Sequence, residues 1–243
     1  MAIPISRKNL SGCLKFYTFR TVGLFCFAFL LYLPACQDRK ATEKEIPMSK
    51  DSLSNSTGSD TTRQIIFFGN SITAGYGLNP SDCFTNLIQK RIDSLKLPYR
   101  TVNAGLSGET SAGGVSRIDW VLRQRVDIFV LELGGNDGLR GIAMQETDKN
   151  LQTIIDRVRK KFPDSRLVLA GMEIPPNLGI SYGKEFHNLF PMLAKKYNAS
   201  LIPFLLEGVG GVDSLNQRDG IHPNEKGEKI VAENAWNVLK RLL

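Results

Sequence analysis

The sequence predicts an α/β fold: a five-stranded, mainly parallel sheet with helices over both faces. Three observations lead there. From Gln64 onward, short apolar runs alternate with segments of helical periodicity. Two of those runs, residues 65–68 (IIFF) and 128–131 (IFVL), are apolar without interruption, as strands buried on both faces are. Glycine-rich polar residues then collect just after the first three runs, at Gly69-Asn70-Ser71, at 105–111 (GLSGETS) and at 134–137 (GGND). In open parallel sheets, ligands sit outside the carboxyl ends of the strands.

The chain opens on something else. Residues 1–35 carry Arg7, Lys8, Lys15 and Arg20 and no acid, followed by the apolar stretch VGLFCFAFLLYL at 22–33. That stretch is short of the roughly 20 residues a spanning helix needs, and it fits the apolar region of an export signal. It runs into Leu33-Pro34-Ala35-Cys36, which resembles a bacterial lipoprotein signal, with Pro34 an uncommon residue there. The resemblance implies cleavage before Cys36, lipidation of Cys36, and an exported protein held at a membrane by its N-terminal lipid on the periplasmic or cell-surface face. A simple signal peptide or an uncleaved anchor is the alternative reading. Residues 36–63 are polar and rich in Ser, Thr, Asp and Lys, with almost nothing to bury, which reads as a disordered tether. The folded domain is therefore expected over 64–243.

Within it, each element follows from its pattern. The first strand is 65–68. Residues 83–95 (CFTNLIQKRIDSL) repeat apolar positions at three and four residues and predict a helix. A strand at 99–104, a helix at 116–125, a strand at 127–133 and an amphipathic helix at 147–162 follow. A strand at 166–171, a helix at 184–197, a strand at 199–204 and a terminal helix at 224–243 complete the series.

Composition narrows the function. Of the formal charge of +7, +4 lies in the first 35 residues, leaving +3 for the rest, whose basic residues are interspersed with acids. That is a solvated surface, so no nucleic-acid partner is expected. Cys83 is the one cysteine beyond Cys36 and reads as a small buried hydrophobe. No metal is expected, because the two histidines, His187 and His222, have no second His or Cys at ligand spacing.

The turn after the first strand, FFGNSITAGYG at 67–77, allows three readings: a packing turn, a phosphate cradle, or the seat of a nucleophile. Neither a Gly-Lys-Ser/Thr ending nor G-x-G-x-x-G follows it, which weakens the phosphate reading. A nucleophilic Ser71 needs a base. His187 lies mid-helix, where a partly exposed histidine is ordinary. His222 lies in RDGIHPNEKG, three residues after Asp219, and Gly220 allows a tight turn that brings the carboxylate to the imidazole. Alone, that motif could equally be a capping turn. An acyl-transfer site also needs donors for a developing oxyanion. Ser71 N–H, Gly108 N–H and the Asn136 amide are candidates at the same sheet edge, though each alone suits a turn.

Taken in order, GNSITAGYGL, VNAGLSGETS, ELGGNDGLRG and DGIHPNEKG resemble the four blocks of the SGNH (GDSL-like) hydrolase superfamily, in particular its thioesterase I, lysophospholipase L1 and arylesterase branch. The likeness runs from about Gln64 to the C-terminus. It implies a flavodoxin-like three-layer α/β/α sandwich and hydrolysis of esters or thioesters without a cofactor. It places the nucleophile at Ser71, the base at His222, the acid at Asp219, and the oxyanion donors at Ser71, Gly108 and Asn136. One departure stands beside the nucleophile: most members carry Asp where this chain has Asn70, which is expected to change the hydrogen bonding of the turn. The G-x-S-x-G elbow of α/β-hydrolases is absent.

Residues 171–183 (GMEIPPNLGISYG) follow the fourth strand and should overhang the same edge, with Met172, Ile174, Pro175 and Leu178 suited to walling an acyl chain. A Pro-rich connection packed on its own helix is the plainer alternative. Residues 205–215 (LLEGVGGVDSL) are a second apolar candidate. The expected substrates are small-molecule or lipid acyl esters. A carbohydrate acetylesterase, or a catalytically silent surface-binding lipoprotein using the same cleft, are the alternatives.

Overall fold

The computed structural model describes residues 62–175 and 178–243. The signal-like segment, Cys36 and the tether up to residue 61 lie outside the described residues. Five strands form one sheet: β1 (Arg63–Gly69), β2 (Tyr99–Gly105), β3 (Ile128–Glu132), β4 (Arg166–Ala170) and β5 (Ser200–Ile202). Their order is β2-β1-β3-β4-β5, and every neighbouring pair is parallel. From β1 the chain crosses to β2 on one side, then returns to β3 on the other. The crevice at the carboxyl ends of β1 and β3 is thus the topological switch point of the sheet.

Side chains alternate across a strand, and β1 uses both faces. Phe67 meets Phe84 edge-on at 5.5 Å between ring centroids, while Phe68 lies 4.4 Å from the Arg117 guanidinium. Phe84 opens α2 (Phe84–Ser94), which packs on α7 (Glu225–Leu239). Arg117 belongs to α3 (Ser111–Val121), which packs on α5 (Met144–Lys161), and α5 on α6 (Ile180–Tyr197). The result is a three-layer sandwich whose central strands, from Ile65 to Phe68 and Ile128 to Leu131, are buried throughout.

Three differences from the sequence reading have local causes. Helix α3 starts at Ser111, not 116, because Thr110 caps it (Oγ1 to Gly113 N–H, 3.3 Å). Its glycines obscured the period, yet Gly114 is required: a Cβ there would stand 2.5 Å from Leu133 Cδ1. Helix α6 begins at Ile180 and carries Pro191 inside it. Two one-turn helices, α1 (Ser71–Ala74) and α4 (Gly135–Leu139), follow β1 and β3 and are too short to show any period. Cys83 is buried and free, and its Sγ occupies the space that a side chain at Gly75 would need.

Buried Glu228 ties α7 to α2 by accepting the Phe84 N–H at 2.5 Å. Burial pushes its pKa up to about 7, opposed by that hydrogen bond. A carboxyl group whose folded pKa is raised binds its proton more tightly folded than unfolded, so its contribution to stability is lost as pH rises from about 4.5 to about 7. Glu228→Gln keeps the acceptor and removes the titration. Its advantage over the parent protein is expected to grow by on the order of 3 kcal/mol between pH 4.5 and 8. Urea unfolding at a series of pH values checks this; a pH-independent difference would show that Glu228 titrates normally.

Candidate active site

The nucleophile turn is built on one buried carboxylate. Asn70 caps α1, its Oδ1 accepting the Ile72 N–H at 2.9 Å. Glu132, the last residue of β3, accepts four hydrogen bonds from that turn: Asn70 N–H (3.0 Å), Asn70 Nδ2 (2.6 Å), Thr73 Oγ1 (2.9 Å) and Thr73 N–H (3.3 Å). All four partners donate, which suits the ionised form. Burial nonetheless pushes the Glu132 pKa up to about 7, against the pull of the Thr73 and Asn70 hydrogen bonds. Glu132 also explains Gly69. Gly69 has no left-handed φ. A Cβ would stand 2.1 Å from Thr73 Oγ1 and 2.5 Å from Glu132 Oε2, so space, not backbone freedom, demands glycine.

Ser71 therefore opens α1, where first-turn amides have no helical carbonyl to bond. Its Oγ lies 2.8 Å from His222 Nε2. His222 Nδ1 lies 2.7 Å from Asp219 Oδ2, and Asp219 Oδ1 accepts the N–H groups of Ile221 (2.9 Å) and His222 (3.0 Å). Gly220, at φ +69°, lets the chain turn tightly enough for this. Desolvation is the largest single influence on Asp219 and would raise its pKa. The hydrogen bonds from His222 and Ile221, with the imidazole's charge, outweigh it and bring the pKa down to about 2. Tyr76 lies against the imidazole, with 4.7 Å between ring centroids.

The loops after β2 and β3 are tied together. Asn136 Nδ2 donates to Glu109 O (2.9 Å), which uses one amide hydrogen and leaves the second. Asp137, fully buried, accepts from Ser111 N–H (2.8 Å) and Ser111 Oγ (2.5 Å). Gly108 sits at φ +78° with open space where a side chain would go. Ser71, Gly108, Asn136 and His222 all line one cleft of about 540 Å³. Asp219 stands behind the imidazole.

Met172, Ile174 and Pro175 also line that cleft, but Leu178 does not. Its N–H reaches back to Pro175 O (3.3 Å). Leu139 and Phe204 supply apolar wall that the sequence reading did not single out. Of the 205–215 stretch, Leu205 and Val209 are core residues, and Leu206, Gly210 and Gly211 reach the cleft. His187 is on the exposed side of α6, 3.3 Å from Glu173 Oε1. Glu132 and Tyr76 were also missed. A lone glutamate in the apolar run IFVLE was the signal available for the first, and Tyr76 had none.

Known proteins share this arrangement of chain. The profile of the GDSL-like lipase/acylhydrolase family matches residues 67–230. The relative named esterase TesA, from Pseudomonas aeruginosa, is 40% identical over 180 residues, covering 74% of this chain and 89% of that protein. Thioesterase 1/protease 1/lysophospholipase L1 of Escherichia coli K12 is 35% identical over 170 residues, covering 70% of this chain and 79% of that one. Among solved structures, the psychrotrophic esterase EstA from Pseudoalteromonas sp., inhibited by monoethylphosphonate, matches with a TM-score of 0.70 at 30% identity, over 74% of this chain and 98% of EstA. With a family match spanning the sheet from β1 to the last helix, and relatives this similar over most of their length, the chain belongs to the GDSL-like lipase/acylhydrolase family.

Proposed function

We propose that the protein is a serine hydrolase that cleaves acyl esters or thioesters, with Ser71 as nucleophile, His222 as base and Asp219 as its orienting acid. The observation that carries this reading is the unbroken contact from Ser71 Oγ through the imidazole to Asp219, at 2.8 and 2.7 Å. As Oγ attacks the acyl carbonyl, its proton passes to His222 Nε2. Asp219, a carboxylate at any ordinary pH with its pKa near 2, holds the tautomer that has Nδ1–H and stabilises the imidazolium. The carbonyl oxygen takes up negative charge against Ser71 N–H, Gly108 N–H and the free hydrogen of the Asn136 amide. His222 then protonates the departing alcohol or thiol, and an acyl-enzyme remains on Ser71. Water, deprotonated by the same imidazole, releases the acid. None of these steps calls for a cofactor.

The apolar wall of Leu139, Met172, Ile174, Phe204 and Leu206 supports an acyl chain as the part of the substrate that is held. Lysophospholipids and short acyl or aryl esters fit that description. The relatives' names, esterase and thioesterase/lysophospholipase, point the same way. The N-terminal sequence supports export and lipidation at Cys36, with the polar stretch between Cys36 and β1 as the tether that gives the domain its reach from the membrane.

A fluorophosphonate is expected to label the protein at Ser71, located by peptide mass; an unreactive protein would be a silent binder. Each buried methylene is worth about 0.8 kcal/mol. Hence kcat/KM on p-nitrophenyl esters should climb from acetate with chain length until the apolar wall ends. A profile that falls from acetate onward would favour the acetylesterase alternative.

A further inference from the structure

Ser71 and His222 belong to segments 151 residues apart in sequence, and their 2.8 Å contact depends on how those segments are held together. The His222 loop is braced mainly within itself: Asp219 takes two of its backbone N–H groups, Gln217 N–H donates to His222 O (2.7 Å), and Gly220 N–H donates to Gln217 O (3.0 Å). Those contacts set the shape of the loop but not its place relative to α1. Beside the Tyr76–His222 ring contact, one side chain bridges the gap by hydrogen bonds. Gln217 Nε2 donates to Tyr76 O (2.6 Å), on the turn that follows α1, and to Pro223 O (3.0 Å), next to His222. Both hydrogens of the amide are used. Gly77 lies against the other end of that amide: a Cβ there would stand 2.3 Å from Gln217 Oε1. Tyr76, whose carbonyl Gln217 holds, is the residue whose ring lies against the imidazole.

We propose that Gln217 is a positioning residue for the reaction: it clamps the turn that carries Ser71 to the loop that carries His222, and so sets the distance between nucleophile and base. Gln217 does not line the substrate cleft, so it acts on the reacting pair and not on substrate binding. The inference rests on the reading of Ser71 and His222 as that pair.

The test uses the full chain with Gln217→Met, which keeps the side-chain volume and removes the donor, alongside Gln217→Ala. The first readout is hydrogen exchange by mass spectrometry, which needs no activity. Peptides covering 72–79 and 215–224 are expected to lose protection together in Q217M, with the rest of the sheet unchanged. Loss confined to 215–224 would mean a purely local brace and would overturn the clamp. The second readout is kcat and KM on p-nitrophenyl butyrate, with reactive Ser71 counted by fluorophosphonate titration so that misfolded molecules drop out. Displacing reacting groups by about 1 Å can cost on the order of a hundredfold in rate. The expected result is therefore a fall in kcat per titrated serine of about tenfold or more, with KM within about twofold. A kcat per titrated serine equal to that of the parent, or a loss carried by KM, would overturn the catalytic role. If Ala fails to fold, Met decides alone. If the parent protein itself is not labelled, the assignment of Ser71 has failed, and the exchange readout still decides whether Gln217 joins the two segments.

Discussion

Ser71→Ala is expected to lower turnover of p-nitrophenyl acyl esters by at least about a thousandfold, leaving only what the remaining donors and binding supply. The hydroxyl is the bond-forming atom, and nothing beside it can replace it. Asn70 Oδ1, 3.4 Å away, is an amide oxygen, and His222 lies behind the hydroxyl at 2.8 Å. The fold should not notice the change. Ser71 is only partly buried, and the turn is held by Asn70, Thr73 and Glu132, none of which depends on Oγ for its bond to the sheet. Circular dichroism and thermal unfolding of the variant should match the parent. A variant retaining half the parent rate, with its fold intact, would sink the assignment of the nucleophile.

Asn136→Ala is expected to lower kcat by about a hundredfold to a thousandfold with little change in KM, the signature of a donor that matters most when charge develops on the substrate oxygen. The side chain has one protein partner to lose and one hydrogen left over. One hydrogen is held by Glu109 O, which aims the amide, and the other is, in the proposed mechanism, the donor to the oxyanion in the cleft that Asn136 lines. The loop it braces keeps its other ties, from Asp137 to Ser111 and from Arg140 to Gly108 O. The loss should therefore appear in chemistry more than in stability. A rise in KM at unchanged kcat would mean that Asn136 only binds substrate.

The residue beside the nucleophile shows how far one sequence carries. Asn70 stood out as the position where this chain leaves its family's pattern, and no neighbour in sequence explained it. Its partner is Glu132, 62 residues away, with the Asn70 amide nitrogen 2.6 Å from the Glu132 carboxylate. An aspartate in that place would set two carboxyl groups against each other, and such a pair holds one proton between them. Asparagine donates instead, and Glu132 can stay ionised while it organises the turn.

The sequence by itself determined the architecture. Short continuous apolar runs that alternate with helical periods read as strands buried on both faces, and polar, glycine-rich clusters after the first three strands mark one edge of a parallel sheet. It also placed Asp219 and His222 together, because a pair three residues apart is made by local backbone geometry. The tertiary structure decided what joins segments distant in sequence. Glu132 under the nucleophile turn, Gln217 between that turn and the His222 loop, and Leu139 and Phe204 as cleft wall belong to elements far apart in the chain. Their partners are chosen by sheet order and helix packing, which leave no period or spacing in the sequence. Leu178 shows the same limit from the other side: apolar and in the right stretch, it does not line the cleft.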